Sequence, residues 1–223
     1  VILGRFGGSG LVATYIFLSL AVLLALAAFS AGAGITVSVR QPGETLSGAA
    51  LLRRNPQFCW FLASSVLLYA AHMMAITYMD AIVGRAGGTE AELGLAVAVG
   101  AAAEFPAMAL LQRIRRRFSA KQILLFSAVS FAVKLLCLAA AVSMTWVYLA
   151  SLLQLAAYSL FTGMSVYYVT DVVDPANQAK GQALCSGAST VGAVLGNYAG
   201  GMLLEHLSVG KTMLFGALLA GAG

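Results

Sequence analysis

Six side chains able to exchange protons or hydrogen bonds lie within apolar stretches of this sequence: His72, Glu104, Lys134, Gln154, Tyr158 and Asn197. Glu104, in "AAAEFPAMALL", is the one charge between Glu92 and Arg113, and Lys134 is the one charge between Lys121 and Asp171. A carboxylate and an ammonium so placed can bind a proton, hold a polar solute, or neutralise each other. An ionised group at the centre of a membrane helix costs about 2.5–3.5 kcal/mol on insertion scales, so it is kept where it is paired, hydrated or useful. An amide, a phenol and an imidazole can orient a polar solute or can bond between helices.

The elements that must position these groups follow from composition. Of 223 residues, 61% are hydrophobic and 9% charged, with a mean hydropathy of +0.90. A soluble domain carries about 25% charged residues. So few charges cannot cover a water-facing surface, so the solvent is largely lipid. The net charge of +5 does not point to nucleic acid, because the basic residues cluster between apolar runs.

A membrane-spanning helix needs about 20 mostly apolar residues. The first candidate is Leu11–Phe29, uncharged as far as Val39, followed by the polar connector "VRQPGETLSGAALLRRNPQ". Further spans are expected at 58–82, 93–111, 123–142, 146–169 and 183–204, and another starts near Thr212. The apolar residues after Lys121 are too many for one ~30 Å crossing, so "VSMTW" is read as the turn between two spans. A cytoplasmic connector puts Arg40, Arg53, Arg54, Arg113, Arg115, Arg116, Arg117, Lys121 and Lys180 inside, and Arg5, Arg85 and Lys211 outside. That asymmetry matches the positive-inside rule.

With each span's midpoint at mid-membrane, His72, Glu104 and Lys134 fall near the centre, and Gln154 and Tyr158 fall one helical turn apart. Asn197 lies slightly outward. Glu104 and Lys134 are on consecutive antiparallel spans, so a direct charge pair is expected. The pair is either structural glue or the lining of an aqueous cavity that binds substrate or a proton. Pro106 beside Glu104 frees a backbone carbonyl and permits a bend. Gly192, Gly196 and Gly200 share one face at four-residue spacing, which lets helix backbones approach, for static packing or for sliding. Cys59, Cys137 and Cys185 read as small buried hydrophobes without metal spacing. No nucleophile–base or metal constellation is present, so the chain is not read as an enzyme. It opens at Val1 and stops in "LLAGAG", and is expected to be a fragment of a longer protein.

The connector, the basic "RRRFSAKQ" loop and "NQAKGQALCSGASTVGAVLGNYAGGMLLE" together resemble the major facilitator superfamily, nearest its lactose-permease-like branch, which includes nucleoside and phenylpropionate proton symporters. The resemblance implies an all-α membrane protein: the C-terminal six-helix half of a twelve-helix fold plus the preceding helix. Residues 1–35 would be the last helix of the N-terminal half, 36–57 the cytoplasmic central connector, and 58–223 the C-terminal bundle.

It further implies a multi-pass secondary transporter in a bacterial cytoplasmic membrane, carrying a small polar or aromatic solute by proton symport. Uniport or export on the same fold is the alternative, with a non-transporting scaffold or sensor behind it. The partners implied are a small-molecule substrate, the lipid bilayer and the missing N-terminal half; no cofactor is implied beyond a proton gradient. Glu104 would be a cavity-lining site residue with Lys134 as its partner. Arg117 and Lys121 match the family's loop motif. Ser119 stands where the family often has glycine, and Gln112 and Arg113 occupy the stretch of an expected acidic residue. The helix-ten histidine and glutamate of lactose permease have no counterpart, Gln154 and Tyr158 standing in that span instead.

Overall fold

The computed structural model describes residues 43–223. The expected helix at 1–35, with Leu11–Phe29 and Arg5, and the start of the connector, with Arg40, lie outside the described residues. Those described form helices and the turns between them, with no strand among them.

The elements are α1 (Gly48–Arg54), α2 (Pro56–Thr77), α3 (Met79–Arg85), α4 (Glu90–Arg115), α5 (Ala120–Ala140), α6 (Met144–Leu152), α7 (Tyr158–Val172), α8 (Gln178–His206) and α9 (Val209–Ala222). Local chemistry sets their starts. Pro56 begins α2 where a missing N–H is harmless. Thr89 with Glu92, and Ser119 with Gln122, form capping boxes that satisfy the first free amides of α4 and α5. The carbonyl end of α5 is closed from outside: Arg85 Nη2 donates to Leu138 O at 2.8 Å and to Ala141 O at 2.6 Å.

α2, α4, α5 and the broken run Met144–Val172 are long and apolar enough to cross a membrane. The 21 residues of α5 make a rod of about 32 Å, close to the ~30 Å hydrocarbon core. Large apolar side chains face outward, Trp60 and Phe105 among the most exposed, as lipid solvent allows. α8 is long enough to span but is not among these four, because its run of glycine, serine and polar residues dilutes its hydropathy. The expected span 183–204 therefore does not stand alone by composition.

Three other expectations need correction. The polar connector is not all loop. It contains α1, and Asn177 grips its described part: Asn177 Oδ1 accepts from Leu46 N–H at 2.9 Å, and its Nδ2 donates to Glu44 O at 3.0 Å. Lys180 Nζ also donates to Leu46 O. The span at 58–82 is interrupted at Tyr78, whose φ and ψ of −107° and 27° are not helical. The span at 146–169 is not one helix: α6 gives way to a 3₁₀ turn, Leu153–Leu155, before α7 resumes at Tyr158.

Asn177→Ala is expected to lower stability by about 2 kcal/mol, because it removes two bonds and leaves the Leu46 amide buried without a partner. Thermal unfolding in detergent checks this, with faster proteolysis near residues 43–47 as its signature.

In the bundle, α8 lies along α2, α9 packs on α5 and α2, and α5 packs on α7. α4 touches α6, the 3₁₀ turn and α7. Only Ala96, Ala103, Ala107 and Leu111 of it are buried. Phe58, Leu68, Met74, Phe131, Leu135 and Met164 fill the core between the others.

Candidate functional site

The break between α6 and α7 carries Gln154. Irregular backbone inside a membrane protein is tolerated when its carbonyls find donors, and they do here. Ser127 Oγ on α5 donates to Ala157 O, and Ser159 Oγ donates to Gln154 O at 3.3 Å. The break turns the Gln154 side chain inward, where it is buried between α4 and α5.

There the expected direct pair of Glu104 with Lys134 is not formed. Gln154 bridges them: Lys134 Nζ donates to Gln154 Oε1, and Gln154 Nε2 donates to Glu104 Oε1 at 3.1 Å. An amide can accept with its oxygen and donate with its nitrogen, so it relays between cation and anion with the right polarity at each end. Lys134 is 2% exposed and Glu104 is half-buried, so the two charges sit at different depths from solvent. A buried ammonium facing a neutral acceptor, with the carboxylate one step further on, is the physical reason the amide is needed.

The triad borders a pocket of about 120 Å³ between the end of α2, α3, α4 and α6. That is room for about four waters. Ser151 lines it as well. Its hydroxyl is buried with no hydrogen-bond partner. The sequence reading did not single out Ser151; its place three residues before Gln154, on the same helical face, was the available signal. Pro106, two residues after Glu104, leaves the Ala102 carbonyl without its helical donor.

Tyr158 does not join Gln154, as one continuous helix would require. It stacks on His72, with centroids 4.4 Å apart and planes 14° from parallel. His72 also meets Phe131 edge-on at 5.7 Å, and its Nδ1 is buried without a partner. Phe131 is one turn from Lys134 on α5. From there the rings of His72, Tyr158 and Tyr69 form a continuous row. Tyr69 borders a second pocket of about 120 Å³ between α2, α7 and α8. Its polar lining is uncharged and includes Ser65, Thr162, Ser165, Gln182, Ser186 and Ser189.

Asn197 lies apart from the carboxylate. Its Oδ1 accepts from Thr77 Oγ1 at 2.6 Å, and its carbonyl accepts from Tyr78 Oη at 2.7 Å. It braces the break between α2 and α3. The glycine stripe beside it explains the approach: an added Cβ at Gly192 would strike Val66 O, at Gly196 the Ala70 backbone, and at Gly200 the Tyr78 ring. Arg117 is exposed in the turn after α4, and Lys121 Nζ donates to Gln57 Oε1 at 3.2 Å, tying the starts of α5 and α2.

A family model described as the MFS_1 like family matches residues 4–215. Maltose permease of Geobacillus stearothermophilus is 28% identical over 166 residues, which are 74% of this chain and 42% of that protein. The chain thus spans less than half the length of that curated relative. No solved structure matches it.

Proposed function

The chain belongs to the MFS_1 like family, and on that premise we propose that it forms the C-terminal half of an alternating-access transporter of the lactose-permease-like branch. In this reading residues 36–57 connect to the N-terminal half and 58–223 form the second bundle. The protein resides in a bacterial cytoplasmic membrane and carries a small polar or aromatic solute with a proton.

The observation that supports this is the Glu104–Gln154–Lys134 relay, set at a helix break beside a small pocket with an unpartnered hydroxyl. Broken helices at the bilayer midplane are where transporters of this kind build their sites. Glu104, on the solvent side of the relay, takes the proton or a donor of the solute. Lys134 holds the far end, and Gln154 passes each change in Glu104 to it. Ser151 supplies a further hydrogen bond. His72 and Tyr158 connect this region to the hydroxyl-lined second pocket, whose neutral lining suits a hydroxylated solute. The name of the maltose permease relative favours the same solute class.

The test is external pH in de-energised cells expressing the full protein, on addition of sugars, nucleosides and aromatic acids. One class is expected to alkalinise the medium, and Glu104→Gln is expected to abolish that signal while leaving downhill exchange measurable. Flux without any pH change would move the protein to the uniporters or exporters. A Glu104→Gln variant that still alkalinises would remove Glu104 from coupling.

A further inference from the structure

We propose that the chain carries one specific site for an anionic phospholipid, with the acyl chain in a groove between α4, α5 and α7 and the phosphate on Arg113 and Arg117. The groove holds about 530 Å³ and lies at the arginine-bearing end of α4. Ile114, Phe118, Ile123, Phe126 and Leu160 line it, and Phe118 and Phe126 are more than half exposed. The one polar side chain in the wall is Gln122. Its oxygen is already taken by the Ser119 amide at 3.0 Å and the Ser119 hydroxyl at 3.1 Å. A polar solute has little to bond to there, whereas a hydrocarbon chain fits the walls.

The charge beside the groove selects which lipid. Arg115 is satisfied internally: it pairs with Asp171 at 3.0 Å and lies over the Tyr167 ring at 4.1 Å. Arg113, Arg116 and Arg117 pair with no carboxylate among the described residues. Arg113 and Arg117 are exposed and stand next in sequence to Ile114 and Phe118 of the apolar wall, so two unneutralised guanidiniums lie within side-chain reach of the end of the groove. A guanidinium fork matches phosphate oxygens bidentately. The ligand that places an anion against arginine and an alkyl chain against phenylalanine, at a membrane surface, is an anionic phospholipid. Ordinary lipid contact with an apolar helix face has no headgroup preference, and the two arginines supply one.

The site is read by native mass spectrometry of the full protein released from nanodiscs holding equal dioleoyl phosphatidylglycerol and dioleoyl phosphatidylcholine. One retained phosphatidylglycerol is expected, favoured about tenfold over phosphatidylcholine. Arg113→Gln/Arg117→Gln is expected to bring that ratio to about one. Phe118→Ser/Phe126→Ser, both at exposed positions, is expected to reduce retention of phosphatidylglycerol without touching the arginines, and it serves if the glutamine pair upsets insertion. Equal retention of the two lipids by the unmodified protein overturns the proposal. So does a preference that survives the glutamine pair, or retention unchanged by the serine pair.

Discussion

Gln154→Leu is expected to abolish coupled uptake and to destabilise the bundle by about 3 kcal/mol, more than loss of the Glu104 charge itself. Lys134 is buried, and Gln154 is its hydrogen-bond acceptor. Without the amide, an ammonium remains in an apolar interior with its counter-charge out of reach, and breaking one side of a buried charge pair costs about 3–5 kcal/mol. Glu104 is only half-buried, so Glu104→Gln leaves Lys134 its amide acceptor and keeps most of the stability. The discriminating variant is Gln154→Leu with Lys134→Met. Removing the stranded charge is expected to restore most of the melting temperature but none of the coupled uptake. Stability unchanged in Gln154→Leu would mean that Lys134 does not depend on the amide.

Gly196→Ala is expected to destabilise by about 1–3 kcal/mol, and Gly196→Leu to prevent assembly of α8 on α2. A methyl at this position would overlap the Ala70 backbone, and backbone cannot rotate away as a side chain can. Gly192→Ala meets Val66 O and Tyr69 Cβ and should behave alike. Gly187 in the same helix has open space around its Cβ position. There the alanine is expected to be neutral or to stabilise by up to about 1 kcal/mol, since glycine is the poorer helix former. Detergent unfolding of the three alanine variants checks the set. Equal melting of Gly196→Ala and Gly187→Ala would sink the close approach of these helices.

Isolated charges in apolar runs are rare enough that Glu104 and Lys134 announce a buried polar site from type and depth alone. The glycine stripe announces a close helix pair for the same reason, since spacing fixes the face. The bridge by Gln154 was not legible, because "SLLQLAAYS" contains no glycine or proline to mark a break. The cause is tertiary: Ser127, from the preceding helix, supplies a donor to the Ala157 carbonyl and stabilises a turn the local sequence does not demand. Tyr78 is a similar case, its interruption braced by Asn197 from a helix far along the chain. Asn197, which by type could orient a solute or bond between helices, is found bonding between helices, to Thr77 and Tyr78. Standing one residue after Gly196, it is carried by the stripe toward α2 and not toward Glu104.

α8 carries the stripe and falls short of the hydropathy that marks α2, α4 and α5 as spans. Such a helix gains less than they do on passing from the insertion machinery into lipid. Its close packing on α2, which precedes it in the chain, makes up part of that difference. Each glycine that shortens the distance to α2 also removes apolar side chain that would have driven unaided insertion. The two requirements on the same positions oppose each other, so intimacy of contact is bought with dependence on α2. A lesion in α2 is thus expected to weaken the membrane integration of α8, a segment it does not alter.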